Sequence, residues 1–285
     1  IMESLVTAPA DTTGYTKIVL DGKTLWVKLK EANNGFSKTE IELAAAFLET
    51  HRYAALKGGS MAFTKMEGTT VNIKDKVAYS ALANIQGSMV QGQTGWVASH
   101  NVKFSKVVKA GGIMAHDLKG SLVDTGNSLI DSAWVPYQSH MLRMGEDIPA
   151  DSLGNTANPN NIASPDNLKF SETLRTLFIG EDSGNHVNNF LWAYNVDTKS
   201  LDRILSTPAG AEATGLHAVD SINGWTYIMS NFQHAGDWGG IHNVVKTALT
   251  PLINANYNDG YAASVGYITA DPMPNKKKKI TDTPK

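Results

Sequence analysis

At 285 residues with 42% hydrophobic side chains, the chain can bury a substantial core as one large domain or two small ones. Its formal charge is −2, and the basic cluster Lys276 to Lys279 is confined to the C-terminal side, so no broad positive face offers itself to a nucleic-acid backbone. Cysteine is absent, which removes disulfides and thiolate chemistry, and no apolar run approaches the roughly 18 residues of a membrane helix.

The start, "IMESLVTAPA", lacks the order of a signal peptide, and Ile1 ahead of Met2 suggests a processed or truncated chain. The first unit, "TKIVLDGKTLWVKL", reads as a hairpin turning at Asp21-Gly22 between alternating strands. In "GFSKTEIELAAAFLETHRYAALKGG" the Ser37/Glu40 pair has capping-box spacing, Ile41, Ala44, Ala45 and Leu48 recur at helical spacing, and Gly58-Gly59 stop the helix. "FTKMEG" and "TTVNIKDKVAYSAL" read as β-rich runs around a Lys-Asp-Lys turn, and residues 87–110 stay ambiguous. Residues 122–164, rich in Asn, Asp, Ser, Gly and Pro, read as a long irregular excursion with a short helix near "YQSHMLRMG".

From Asn167 the order is regular. "NLKFS" and "TLFIG", "FLWAYNV" and "LDRIL", "TGLHAV" and "WTYIMSNF" are paired runs around turns, the last turn holding Asn223-Gly224. Short strands repeated without intervening helices predict a mainly β chain, a partial β-propeller of several antiparallel blades with a few short helices and long loops; a β-sandwich has the same spacing. The chain reads as a single domain, 1–285, with 272–285 a flexible basic tail.

No P-loop, dinucleotide fingerprint, His-Glu-x-x-His or nucleophile elbow is present. What stands out is oxygen. "ASPDNLKFSETLRTLFIGEDSGNH" sets Asp166-Asn167 before one strand and Glu181-Asp182 after the next, Glu212 lies in "PAGAEATG", and Asp237 lies in "QHAGDWGG". Each is also the kind of residue that caps a turn or sits in solvent. Their recurrence at strand ends suits a hard cation such as Ca²⁺, which takes six to eight oxygens in flexible geometry. In "FTKMEGTT" the period-two alternation of a strand would set Lys65 and Glu67 on one face, a cation beside a metal-binding carboxylate.

Taken in order, "RYAALKGGSMAFTKMEG", "SPDNLKFS", "TLFIGEDSGNHVNNFLWAY", "LDRILSTPAGAEATGL" and "SNFQHAGDW" resemble successive motifs of the PhoX-type alkaline phosphatases, from about His51 to Trp238. The resemblance implies a β-propeller that hydrolyses phosphate monoesters at iron and calcium ions, exported from bacteria by the twin-arginine route and so periplasmic or extracellular. Carried over by motif, it casts Glu67 as a metal ligand and Lys65 as a phosphate-contacting residue, both catalytic, and places Asn167, with its neighbour Asp166, and Glu212 in the calcium shell. Glu181 and Asp182 enter as a pair, with the inward-pointing member open. The family's iron-ligating cysteine and further acidic ligands have no counterpart here, so the resemblance also implies a missing N-terminal half, or another chain, that closes the propeller.

The expected function is therefore a metal-dependent phosphatase acting on a phosphate ester, this chain supplying part of the site. The competing expectation is a calcium-binding structural propeller without catalysis, assembling as a homo-oligomer, filament or surface layer through its open edges. A soluble ligand-binding propeller is a third.

Overall fold

The computed structural model describes residues 1–20, 22–31 and 35–270; Asp21 of the first turn and the basic tail 272–285 lie outside them. Where the sequence reads as one domain, the chain divides into two compact units, residues 1–65 with 84–108, and residues 66–83 with 109–285.

The first unit holds strands β1 (Met2–Leu5), β2 (Thr16–Leu20) and β3 (Lys23–Leu29), ordered β1-β3-β2, and helices α1 (Lys38–Leu48) and α2 (Thr50–Leu56). The hairpin forms as expected, with Leu20 paired to Lys23 and Gly22 at φ +70. Ser37 and Glu40 close a reciprocal capping box, the Ser37 side chain accepting from Glu40 N and the Glu40 side chain from Ser37 N. The expected single helix breaks at Glu49 (φ −133, ψ 37), whose carboxylate accepts from Met2 N at 3.3 Å and meets Arg52 Nη2 at 2.5 Å. Ala45 and Ala55 pack on Met2, Ile18, Leu20 and Val27, while Leu48 faces outward. Residues 87–108 contain two single 3₁₀ turns, Gly87–Met89 and Ala98–His100.

The second unit is three antiparallel meanders. The first is β4 (Met66–Asn72), β5 (Val77–Leu82), β6 (Gly112–Lys119) and β7 (Val135–Met144); the second is β8 (Pro165–Ser171), β9 (Thr176–Glu181), β10 (Asn188–Asn195) and β11 (Leu201–Ala209). The third is β12 (Glu212–Ile222), β13 (Trp225–Gln233) and β14 (Ser264–Ala270), with helix α3 (Lys246–Asn256) between β13 and β14. Among the described residues the fold is thus mainly β, in four antiparallel sheets across the two units. The helix expected near "YQSHMLRMG" is instead the outer strand β7, paired along its length with β6.

The sheets stack, so β9 is buried on both faces: Leu177 and Ile179 pack with Tyr79, Ile113, Phe170 and Trp192 of the first and second sheets, and Phe178 packs with Leu191 and Ala218 toward the third. That is why "TLFIG" is a continuous apolar run rather than an alternating one. Each large side chain so buried contributes roughly 1.5–3 kcal/mol. The first strands lie side by side, β4 against β8 and β8 against β12. They run the same way: Gly68 abuts Asp166 while Thr70 Oγ1 accepts from Phe170 N (3.1 Å), and Asn167 Oδ1 accepts from Gly215 N (3.2 Å) while Ser171 meets Asp220.

At the far end of these strands Arg175 ties three turns together. It pairs with Asp75 after β4, makes a two-point contact with Asp197 after β10 (2.9 and 3.0 Å) and reaches Asn72 Oδ1 at 3.4 Å. The guanidinium holds both the Asp75 and Asp197 carboxyls below the usual carboxylate range, against the opposing effect of desolvation. A depressed folded-state pKa stabilises above the unfolded value and is lost as pH falls through the folded one. Arg175→Ala is therefore expected to lower the urea midpoint at neutral pH, and that deficit should close below about pH 4. Urea titrations of both proteins across that range check it; a deficit independent of pH would assign the effect to packing alone.

Candidate functional site

The site end of the second unit is built by a repeated backbone irregularity. β4 slips one residue against β5 between Met66 and Thr69, β8 slips against β9 between Pro165 and Leu168, and β12 slips against β13 between Thr214 and His217. Each slip is a β-bulge near the start of a first strand, and bulges re-aim side chains at sheet rims. The residues inside them are Glu67-Gly68, Asp166-Asn167 and Gly215-Leu216. The bulges touch in series. A Cβ on Gly68 would stand 2.4 Å from the Asp166 carbonyl oxygen, and Asn167 reaches the Gly215 amide.

Five of the residues singled out from sequence thus share one end of this unit: Glu67 on β4, Asp166 and Asn167 on β8, Asp182 just past β9, and Glu212 opening β12. Asp182 and Glu212 line a cleft of about 230 Å³ together with Asp237, Asn189, Trp238 and His242. Glu212 Oε2 accepts from Gln233 Nε2 at 2.6 Å. Asn189 shapes the wall, accepting from Ser183 N (2.9 Å) and donating to the Ala211 carbonyl (2.7 Å). His242 Nδ1 accepts from Gly239 N at 3.0 Å, which leaves Nε2 to donate to the Val187 carbonyl at 3.2 Å.

Glu181 is placed differently from its neighbour. It is wholly buried, and each oxygen meets two donors: Oε1 accepts from Ala163 N (2.8 Å) and Trp192 Nε1 (2.6 Å), Oε2 from His186 Nδ1 (3.0 Å) and Phe190 N (3.1 Å). Its acceptor capacity is taken up by the protein, while Asp182 is exposed at the cleft. The split falls where β9 ends: Glu181 is the last residue of a strand buried on both faces, and Asp182 lies just beyond it.

Lys65 lies ahead of β4 rather than in it, with its backbone at φ +54, so strand alternation does not relate it to Glu67. It closes the first unit, and Glu67 belongs to the second, which opens at Met66. The signals that sequence reasoning missed are Asn189, Trp238 and His242, each isolated in the chain and gathered only by the fold.

The donor chemistry of this end is carboxylate and amide oxygen, which fits calcium. Among the described residues no three His, Asp or Glu side chains converge tightly enough to hold a metal by themselves, so a bound ion would draw on amide or backbone oxygens as well. With no cysteine in the chain, thiolate-ligated iron does not fit. Among the described residues no helix is long and apolar enough to cross a membrane.

No family model matches the chain, and no curated protein does. Among solved structures it is similar to Pseudomonas fluorescens PhoX in complex with vanadate, a transition state analogue, with 20% identity and a TM-score of 0.51. The match covers 90% of this chain and 44% of that one, so the chain spans less than half the length of the protein whose fold it shares.

Proposed function

We propose that this chain is part of a PhoX-like phosphatase that hydrolyses phosphate monoesters, built as a segment of a β-propeller and working outside the cytoplasm. The observation that carries the reading is the series of three touching bulges, which holds Glu67, Asp166 and Asn167 on neighbouring strands at the same end of the unit where Asp182, Glu212 and Asp237 line a cleft. Support comes from the fold shared with a protein that binds a transition-state analogue of phosphoryl transfer. The meander order, with first strands side by side, is the blade arrangement that a propeller repeats around an axis.

Asp182 and Glu212, with Asn167 and backbone oxygens of this end and ligands from outside the chain, would hold a calcium ion, which supplies positive charge against the oxygens of a phosphate ester. Gln233 orients Glu212 through its amide, and Gly215 N fixes Asn167, so both donors are set before an ion arrives. Glu181 serves from behind the cleft wall. Glu67 lies where the β4 bulge meets the β8 bulge, and its assignment as a ligand rests on that position and on the motif. For Lys65 the role of phosphate contact rests on the motif alone. Iron, the other metal that the resemblance implies, would take its thiolate and any further ligands from outside this chain.

Calorimetric titration with calcium tests the site directly. The wild type should bind, and the Asp182→Ala/Glu212→Ala double variant should lose at least about tenfold in affinity. Release from a chromogenic phosphate monoester, measured with calcium present, should fall with it and with Glu67→Ala. Calcium binding without ester hydrolysis in the complete protein, with the propeller closed by its other half, would sink the catalytic reading, and no binding would sink the site.

A further inference from the structure

We infer that β14 is a pairing edge for a second copy of this chain, joined antiparallel about Tyr267. The three outer strands of the second unit are defended unequally. β7 carries Pro136, His140 and Arg143 and slips register twice against β6; β11 carries Asp202, Arg203 and Pro208 and slips twice against β10. Proline, charge and bulges are the devices that keep an edge strand from adding another strand. β14, Ser-Val-Gly-Tyr-Ile-Thr-Ala, has none of them, and it pairs with β13 in unbroken register from Thr226↔Ala270 to Phe232↔Ser264. Among the described residues its sheet also has three strands where the two preceding meanders have four.

The composition of the strand selects the occupant. An uncharged edge suits an uncharged strand, and β14 is complementary to itself. Antiparallel pairing centred on Tyr267 overlaps all seven residues and sets Gly266 opposite Ile268 of the second copy, and Ile268 opposite its Gly266. Opposed residues share a face. Gly266 leaves open space, since a Cβ there would meet nothing within 4 Å, and it lines an apolar cleft of about 210 Å³ with Leu205, Phe232 and Ile268. The isoleucine of each copy then lies over the hollow of the other. On the opposite face Val265 and Tyr267 are 78% and 63% exposed, and the two Tyr267 rings meet at the two-fold axis. The contact is isologous and closes at two copies, so it yields a dimer rather than a filament.

The inference is independent of the catalytic reading. Sedimentation velocity over a range of concentrations should show the wild type as a dimer. Tyr267→Lys and Tyr267→Glu each place like charges at the axis and should each raise the dissociation constant about tenfold or more. Mixed in equal amounts, the two should recover a heterodimer. Amide exchange within β14 of the wild type should slow as concentration rises, a readout that needs no variant. A wild type that stays monomeric with concentration-independent exchange, leaving the edge to some other strand, would overturn the proposal, as would variants that dimerise as well as the wild type.

Discussion

Glu181→Ala should be among the most destabilising single substitutions in the second unit, by about 3–5 kcal/mol, since each buried donor left unsatisfied costs about 1–3 kcal/mol. The side chain is wholly buried and takes four hydrogen bonds, two of them from backbone amides and two from His186 and Trp192. Its removal strands all four donors, and the ring of His186, equally buried, keeps only the Asn158 carbonyl at 3.2 Å. The desolvation cost of unpaired groups dominates here, because burial leaves water no path to replace the carboxylate. Glu181→Gln tests the same point at constant shape. One oxygen can still serve Ala163 and Trp192, and the amide NH₂ can donate to Nδ1 of a neutral His186 whose Nε2–H keeps the Asn158 carbonyl, but it confronts Phe190 N, donor against donor. Urea denaturation followed by Trp fluorescence measures both variants. If Glu181→Ala cost less than about 1 kcal/mol, the buried network would not be holding this end of the sheets together. Asp182→Ala, one residue along and exposed, should change stability by no more than about 0.5 kcal/mol and act on calcium binding instead.

That contrast between neighbours shows where sequence reasoning reaches its limit. "GED" signals a strand end with acidic side chains, and alternation says that one points inward; only the pairing of Pro165 with Glu181, and the arrival of His186 and Trp192, decide which. The hairpins around residues 72–77, 171–176 and 195–201 are legible because turn residues and flanking runs are local. β7 is not, because "YQSHMLRM" spaces its apolar residues in a way that also suits a helix, and its strand state comes from pairing with β6 across the irregular stretch 120–134. The bulges are illegible for the same reason. A register slip is a relation between two strands, and "MEGT", "PDNL" and "ATGL" show a family likeness only once their partners are known. The division into two units is similarly hidden, since residues 84–108 return to the first unit after β4 and β5 have begun the second.

Gly68→Ala should couple stability and site in one substitution. Glycine at this bulge is demanded by approach rather than by backbone angle: an added Cβ would stand 2.4 Å from Asp166 O, 2.8 Å from Leu168 N and 3.1 Å from Asn167 Cα. All three are backbone atoms of the β8 bulge, which cannot swing aside as a flexible side chain could. The only relief is to move β4 away from β8. Overpacking of this kind costs about 1–3 kcal/mol. The displacement also falls on the contact that sets Glu67 beside Asp166, and Asn167 is tied in turn to Gly215. Calcium affinity should therefore drop about tenfold or more, although no proposed ligand has been altered. Gly87→Ala, in the other unit, is the control, because a Cβ there comes no closer than 3.5 Å to its neighbours and the backbone angle is ordinary; its stability should stay within about 0.5 kcal/mol of the wild type. Urea midpoints and calcium titrations of the two variants decide the matter. If Gly68→Ala lost stability but bound calcium as the wild type does, the β4 bulge would be a packing feature and Glu67 would stand apart from the site. If it lost neither, the close approach of β4 and β8 would be looser than the structure draws it.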